Sequence, residues 1–173
     1  MILWCIIIAA LVILDQVTKI LVAGNMVLYE SIPVIPKLFS LTYIHNYGAA
    51  WGMFSEHRWV FLIITTVALI IMPIILYRYR KLHFLFGFSL SMILAGAIGN
   101  MIDRVFLGYV VDFIEAVFID FPIFNVADIC VVVGAVLMAI YLIFLDKTFF
   151  VDKPKSKPNG EADHGTDAKN DTH

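Results

Sequence analysis

Phe84-Leu-Phe-Gly-Phe-Ser-Leu-Ser-Met-Ile-Leu-Ala-Gly-Ala-Ile-Gly-Asn-Met101 carries no charge and continues directly into Ile102, Asp103 and Arg104. A run of this kind nearly fills a hydrocarbon core, which takes about 20 helical residues to cross. Its charged end then falls near the edge of that core, where ionisable groups are costly and are usually retained for use. Three more stretches have the same character: Ile2–Ala23, Trp59–Tyr77 and Val126–Leu145. Of the 173 residues 61% are hydrophobic and 15% charged, against roughly 45–50% and 25% in a soluble domain. The expected fold is an all-α membrane protein with four transmembrane helices, built as one unit over 1–150.

The first apolar run has no basic residue ahead of it and passes straight into Asp15-Gln-Val-Thr-Lys19, so it reads as a retained helix rather than a cleaved leader. Short-loop cations are held on the cytoplasmic side during insertion. Arg78, Arg80 and Lys81 lie between helices two and three, and Lys147, Lys153, Lys155 and Lys157 follow helix four. Both termini are therefore expected in the cytoplasm, with 24–58 and 105–124 outside. The tail 151–173 mixes Pro, Gly, Asn and both charge signs without apolar periodicity and is expected to be disordered. A net charge of -2 gives no single-sign field, so no nucleic-acid partner is implied. Cys5 and Cys130 sit in apolar runs and read as small packing residues.

Between helices one and two, 31–45 is rich in β-branched and aromatic residues, with alternation across Phe39–Ile44 and prolines suited to strand edges. A small outer β-element is expected there. The second outer segment, with Gly108 and Pro122 around the apolar patch Tyr109–Phe121, reads as a short hairpin or an interfacial helix.

The polar residues converge on one side of the bundle. Asp15 lies roughly 20 Å along helix one at 1.5 Å per residue, in its outer part. Asn100, Asp103 and Arg104 stand at i, i+3, i+4 and share a face near the outer end of helix three. Asn125 and Asp128 open helix four from the same side, and Asn46 and Asp112 belong to the outer segments. Ala95-Gly-Ala97 and Gly99 let a neighbouring helix approach closely, which brings Asp128 near Asn100. Each polar residue also has a structural reading. Asp15 can pair with Lys19 at i, i+4, Asp103 with Arg104, and Asn125 can be a helix N-cap. His45 and His57 lack a second ligand at helical spacing, so no metal site is expected.

Five ordered blocks carry a resemblance. Asp15-Gln-Val-Thr-Lys19, Asn46-Tyr-Gly-Ala-Ala-Trp51, Gly96-Ala-Ile-Gly-Asn-Met-Ile-Asp-Arg104, Val110-Val-Asp-Phe113 and Phe124-Asn-Val-Ala-Asp128 resemble the signature blocks of lipoprotein signal peptidase, signal peptidase II. A small departure is Ala95, where that family often has glycine. The resemblance implies a bacterial inner-membrane aspartic endopeptidase that cuts prolipoproteins just before a cysteine carrying diacylglycerol. It puts the catalytic pair at Asp112 and Asp128, near the outer leaflet. Asp15, Asn46, Asn100, Asp103, Arg104 and Asn125 then match positions that bind substrate or support the site. The implied partners are diacylated prolipoproteins and membrane lipid, and the chemistry needs no cofactor. A small transporter or channel component is the competing class, since it too places acids within a helix bundle. Such a protein favours polar groups at the midplane, whereas here the acids gather at one surface.

Overall fold

The structure, a computed structural model, describes residues 1–48, 58–79 and 83–145. The expectations for Trp51, His57, the cations at 80–81 and 147–157 and the tail lie outside the described residues. Among the described residues four long helices and three strands follow in the order α1 Ile2–Asn25, β1 Ser31–Ile35, β2 Phe39–Asn46, α2 Arg58–Arg78, α3 Phe84–Phe106, β3 Val110–Ala116 and α4 Val126–Ile140. A π-helical turn, Tyr141–Leu145, extends α4.

Among the described residues, α1, α3 and α4 with its π turn are long and apolar enough to cross a membrane. α2 offers a shorter apolar run, Leu62–Arg78, with Pro73 inside it. Large apolar side chains such as Ile6, Ile13, Ile20, Ile63 and Ile74 are exposed. In water that surface would be a liability. Against lipid tails it is the matching solvent.

α3 is the central helix, in contact with α1, α2 and α4. Its glycines allow this, because lipid supplies no hydrophobic drive between helices and close van der Waals contact must do the holding. A Cβ built at Gly96 would overlap the Ala127 carbonyl oxygen of α4, and one at Gly99 would lie 2.5 Å from the Asp15 carboxylate of α1. Trp4, Leu76, Leu90 and Leu94 form the core at one end of the bundle. Ser89 and Ser91, fully buried in α3, donate back to Leu85 O and Gly87 O, each at 2.7 Å.

The small β-element is present within a mostly helical fold, but it extends beyond the segment between the first two helices. β1, β2 and β3 form one antiparallel sheet in that order, so its third strand comes from after α3 rather than from between the first two helices. The segment expected to be a hairpin or interfacial helix is strand β3, and its return path meets it only at a single bridge, Ile114 to Phe124. Val111 and Phe113 of β3 pack with Tyr43 of β2 and Val22 of α1 in a second core. Side chains alternate across a strand, so that burial turns Asp112 to the other face.

The α3–α4 contact yields a test. Gly96→Ala should lower the melting temperature of the detergent-purified protein, with a cost of about 1–3 kcal/mol expected from overpacking. Gly24→Ala, in a helix position with nothing within 4 Å of the added carbon, should leave it unchanged or raise it. Equal effects at both positions would refute the packing account.

Candidate active site

α4 starts where an N-cap residue must satisfy its first free amides, and Asn125 does so. Its Oδ1 accepts from Asp128 N at 2.9 Å, while Asp128 Oδ2 accepts from Asn125 N at 3.1 Å. This reciprocal capping box fixes the Asp128 carboxylate at the first turn. The cap leaves the Asn125 amide nitrogen free to point the other way. Nδ2 donates to Asp112 Oδ1 at 2.6 Å and to Asn100 Oδ1 at 3.0 Å. The two structural and functional readings of Asn125 are therefore one geometry.

Both aspartates are held at both oxygens. Asp112 Oδ2 accepts from Asn46 Nδ2 at 2.8 Å, and Asp128 Oδ1 accepts from Asn100 Nδ2 at 2.7 Å. Asp112 is 1% exposed and Asn125 fully buried. Burial, and secondly the Asp128 charge, raise the Asp112 pKa from 3.8 to about 7, against the opposing bonds from Asn46 and Asn125 and the charge of Lys19. Burial thus makes the Asp112 carboxyl costly to ionise, while its neighbour is held by donors.

Behind the pair lies a buried ionic cluster. Lys19 Nζ reaches Asp15 Oδ2 at 2.9 Å, Asp103 Oδ2 at 3.0 Å and Asn100 Oδ1 at 2.9 Å. Gln16 Nε2 lies 3.1 Å from both Asp15 and Asp103 and 3.2 Å from Gly99 O. Asp15 also accepts from Ala127 N at 2.9 Å, and Asp103 from Val111 N at 3.1 Å. Asp15 and Asp103 thus join α1, α3, β3 and α4 behind the two cleft carboxylates.

The eight residues singled out in the sequence separate into two layers. Asn46, Asn100, Arg104, Asp112 and Asp128 line a cleft of about 700 Å³. Asn125 links that layer to the second, Asp15 and Asp103, which lie off the cleft. Asp103 and Arg104 do not share a face as their spacing suggested, because adjacent helical positions diverge by about 100°. Arg104 extends along the cleft, within 3.4 Å of both Asn100 O and Gly48 O.

Two features escaped the sequence reading. Lys19 was seen only as a partner for Asp15, though a lysine at membrane depth signals an enclosed acidic site. The cleft also has apolar lining, Phe121, Ile129, Val132 and Val133 among it, with the last three on the same helix as Asp128. The spacing 129, 132, 133 on α4 marks that stripe in hindsight.

A family model described as Signal peptidase (SPase) II matches residues 7–144. A lipoprotein signal peptidase of Listeria monocytogenes serotype 4b is 45% identical over 150 residues, covering 86% of this chain and 93% of that one. One from Symbiobacterium thermophilum is 44% identical over 138 residues, covering 79% and 91%. A solved bacterial membrane enzyme superposes with a TM-score of 0.75 at 38% identity, covering 92% of this chain and 93% of that one. With the family model spanning both cleft carboxylates and all four helices, the chain belongs to the signal peptidase II family.

Proposed function

We propose that this protein is an aspartic endopeptidase that removes signal peptides from diacylglyceryl-modified prolipoproteins, cutting before the lipidated cysteine. The observation that carries the reading is the pair Asp112 and Asp128, bridged by Asn125 and opening on a cleft lined by both polar and apolar side chains. A substrate that combines a peptide with acyl chains suits such a lining. Membership of the signal peptidase II family favours this reading over a transporter or channel component.

Two carboxylates that bond to the same asparagine in a buried site share a proton. The raised pKa of Asp112 supports assigning it the proton, so that its O–H hydrogen-bonds the scissile carbonyl. Asp128 takes a proton from water as that water attacks and Asp112 passes its own proton to the carbonyl oxygen, giving a neutral tetrahedral diol with no acyl-enzyme. The roles then reverse, and the leaving nitrogen receives its proton. Asn46, Asn100 and Asn125 hold the pair, and Arg104 can meet a substrate carbonyl or the developing oxyanion. Asp15 and Asp103 support the site through Lys19.

The same reading includes four membrane crossings, with α2 as the fourth. It puts both termini in the cytoplasm, the pair near the outer leaflet, the peptidase unit at 1–150 and a disordered tail at 151–173. In intact cells, an impermeant thiol reagent should label Ser31→Cys and leave Asn159→Cys untouched, relative to the unsubstituted chain. The reverse pattern would invert the topology.

Incubating the purified protein with a diacylated prolipoprotein should release a mass equal to the signal peptide, and the unmodified precursor should be cut far more slowly. Equal rates on the two forms would defeat the lipid requirement.

Substitution separates the two acids adjoining this site. Asp112→Asn should abolish cleavage in a folded protein. Asp103→Asn should lower the melting temperature, through a loss of stability on the order of 3 kcal/mol for a buried charge stripped of one partner. A raised folded pKa means Asp112 stabilises the fold fully below its unfolded value of 3.8 and loses that contribution as pH rises through about 7. Melting temperature should therefore fall over that window in the wild type, and the fall should be smaller in Asp112→Asn. An active Asp112→Asn beside a folded but inactive Asp103→Asn would move the pair to Asp103 and Asp128.

A further inference from the structure

Lys19 is 3% exposed, and its ammonium has only donors. Two of its three bonds are ionic, to Asp15 and Asp103, and more than offset its single charge. The third goes to the amide oxygen of Asn100, a neutral group that adds nothing to the charge balance. That contact has a directional consequence. An asparagine amide presents oxygen on one side and nitrogen on the other, so an ammonium on Oδ1 forces Nδ2 outward, onto Asp128 Oδ1 at 2.7 Å. The second donor to Asn100 Oδ1, Asn125 Nδ2 at 3.0 Å, is neutral and is also drawn by Asp112 at 2.6 Å. A charged donor makes a bond roughly twice as strong as a neutral one, so Lys19 dominates the amide's orientation.

We propose that Lys19 is a positioning residue for the reaction, acting through Asn100 to keep an N–H donor on Asp128. The proposal rests on the reading of Asp112 and Asp128 as the reacting pair. A flipped Asn100 would turn its oxygen to Asp128, and two facing acceptors require a proton between them. The pair would then hold its last proton to higher pH, and Asp128 would be a poor base for water. The charged groups around this amide are Lys19 and Asp15 from α1, Asp103 and Arg104 from α3, Asp112 from β3 and Asp128 from α4. Lys19 also adds positive charge beside both members of the pair. Removing it acts in the same direction as the flip.

The test keeps the net charge of the cluster fixed. Lys19→Met with Asp103→Asn removes one cation and one anion together, and takes the donor from Asn100. Turnover of a diacylated prolipoprotein should show kcat reduced by at least about tenfold, the factor carried by one misplaced pKa unit. KM should be little altered, and the alkaline limb of the pH profile should move upward. Gln16→Met disturbs the same buried cluster without touching Asn100, so it should lower the melting temperature and leave the limb in place. If the double variant does not fold, Lys19→Arg decides. It keeps the charge, but its planar fork cannot reproduce a three-way tetrahedral donation. Wild-type kcat and pH profile in whichever variant folds would overturn the role of Lys19. Asp112→Asn is run alongside: its inactivity confines that failure to Lys19, whereas its activity overturns the reacting pair itself.

Discussion

An ammonium group without water needs three acceptors, and Lys19 finds them on two helices. Stripping a cation of its hydration costs several kcal/mol, which is recovered only where geometry is good and every proton is used. Asp15 and Asn100 can supply that geometry only if α1 and α3 lie side by side, and Asp103 only if α3 is rotated to turn its last turn inward. Val111 N on Asp103 ties β3 to the same point, and Ala127 N on Asp15 ties α4. Helix contacts made of interchangeable aliphatic surfaces leave rotation weakly specified. One buried cation specifies it for three helices and a strand.

The carboxylate pair inherits its rigidity from that cluster. Each of its four oxygens accepts a bond from an asparagine: the side chains of Asn46, Asn100 and Asn125, and the backbone N–H of Asn125. Amides are suited to this work because they donate without carrying charge, so they orient a carboxylate without fixing its protonation state by a full ionic partner. Small residues complete the arrangement. Gly99 leaves room for the Asp15 carboxylate against α3, so the close packing of the helices and the placement of the acid are one event.

The sequence revealed three apolar spans and the polar members of the cleft, because those follow from run length and from where polar residues interrupt it. It did not reveal β3. Val110-Val-Asp-Phe-Ile-Glu-Ala116 alternates only weakly, since three of its side chains pack into the second core and a fourth is buried in the site. Its strand state comes from pairing with β2, distant in the chain, which no local pattern encodes. The partner of Asp103 was hidden for a similar reason. Adjacency suggested Arg104, yet a helix points neighbours apart, and the cation at 3.0 Å belongs to another helix altogether.

Asn125 bears on how freely this chain can vary. As an N-cap its position is open to Asn, Asp, Ser or Thr, all of which accept from the first turn with similar benefit. As the link between Asp112 and Asn100 it must also donate from a separate atom, and only the asparagine side chain in that group has two N–H donors beside an acceptor oxygen. The set of residues permitted by folding and the set permitted by the site overlap in one member. A Ser, Thr or Asp at position 125 can therefore keep a sound α4 while losing the amide donor that Asp112 and Asn100 share.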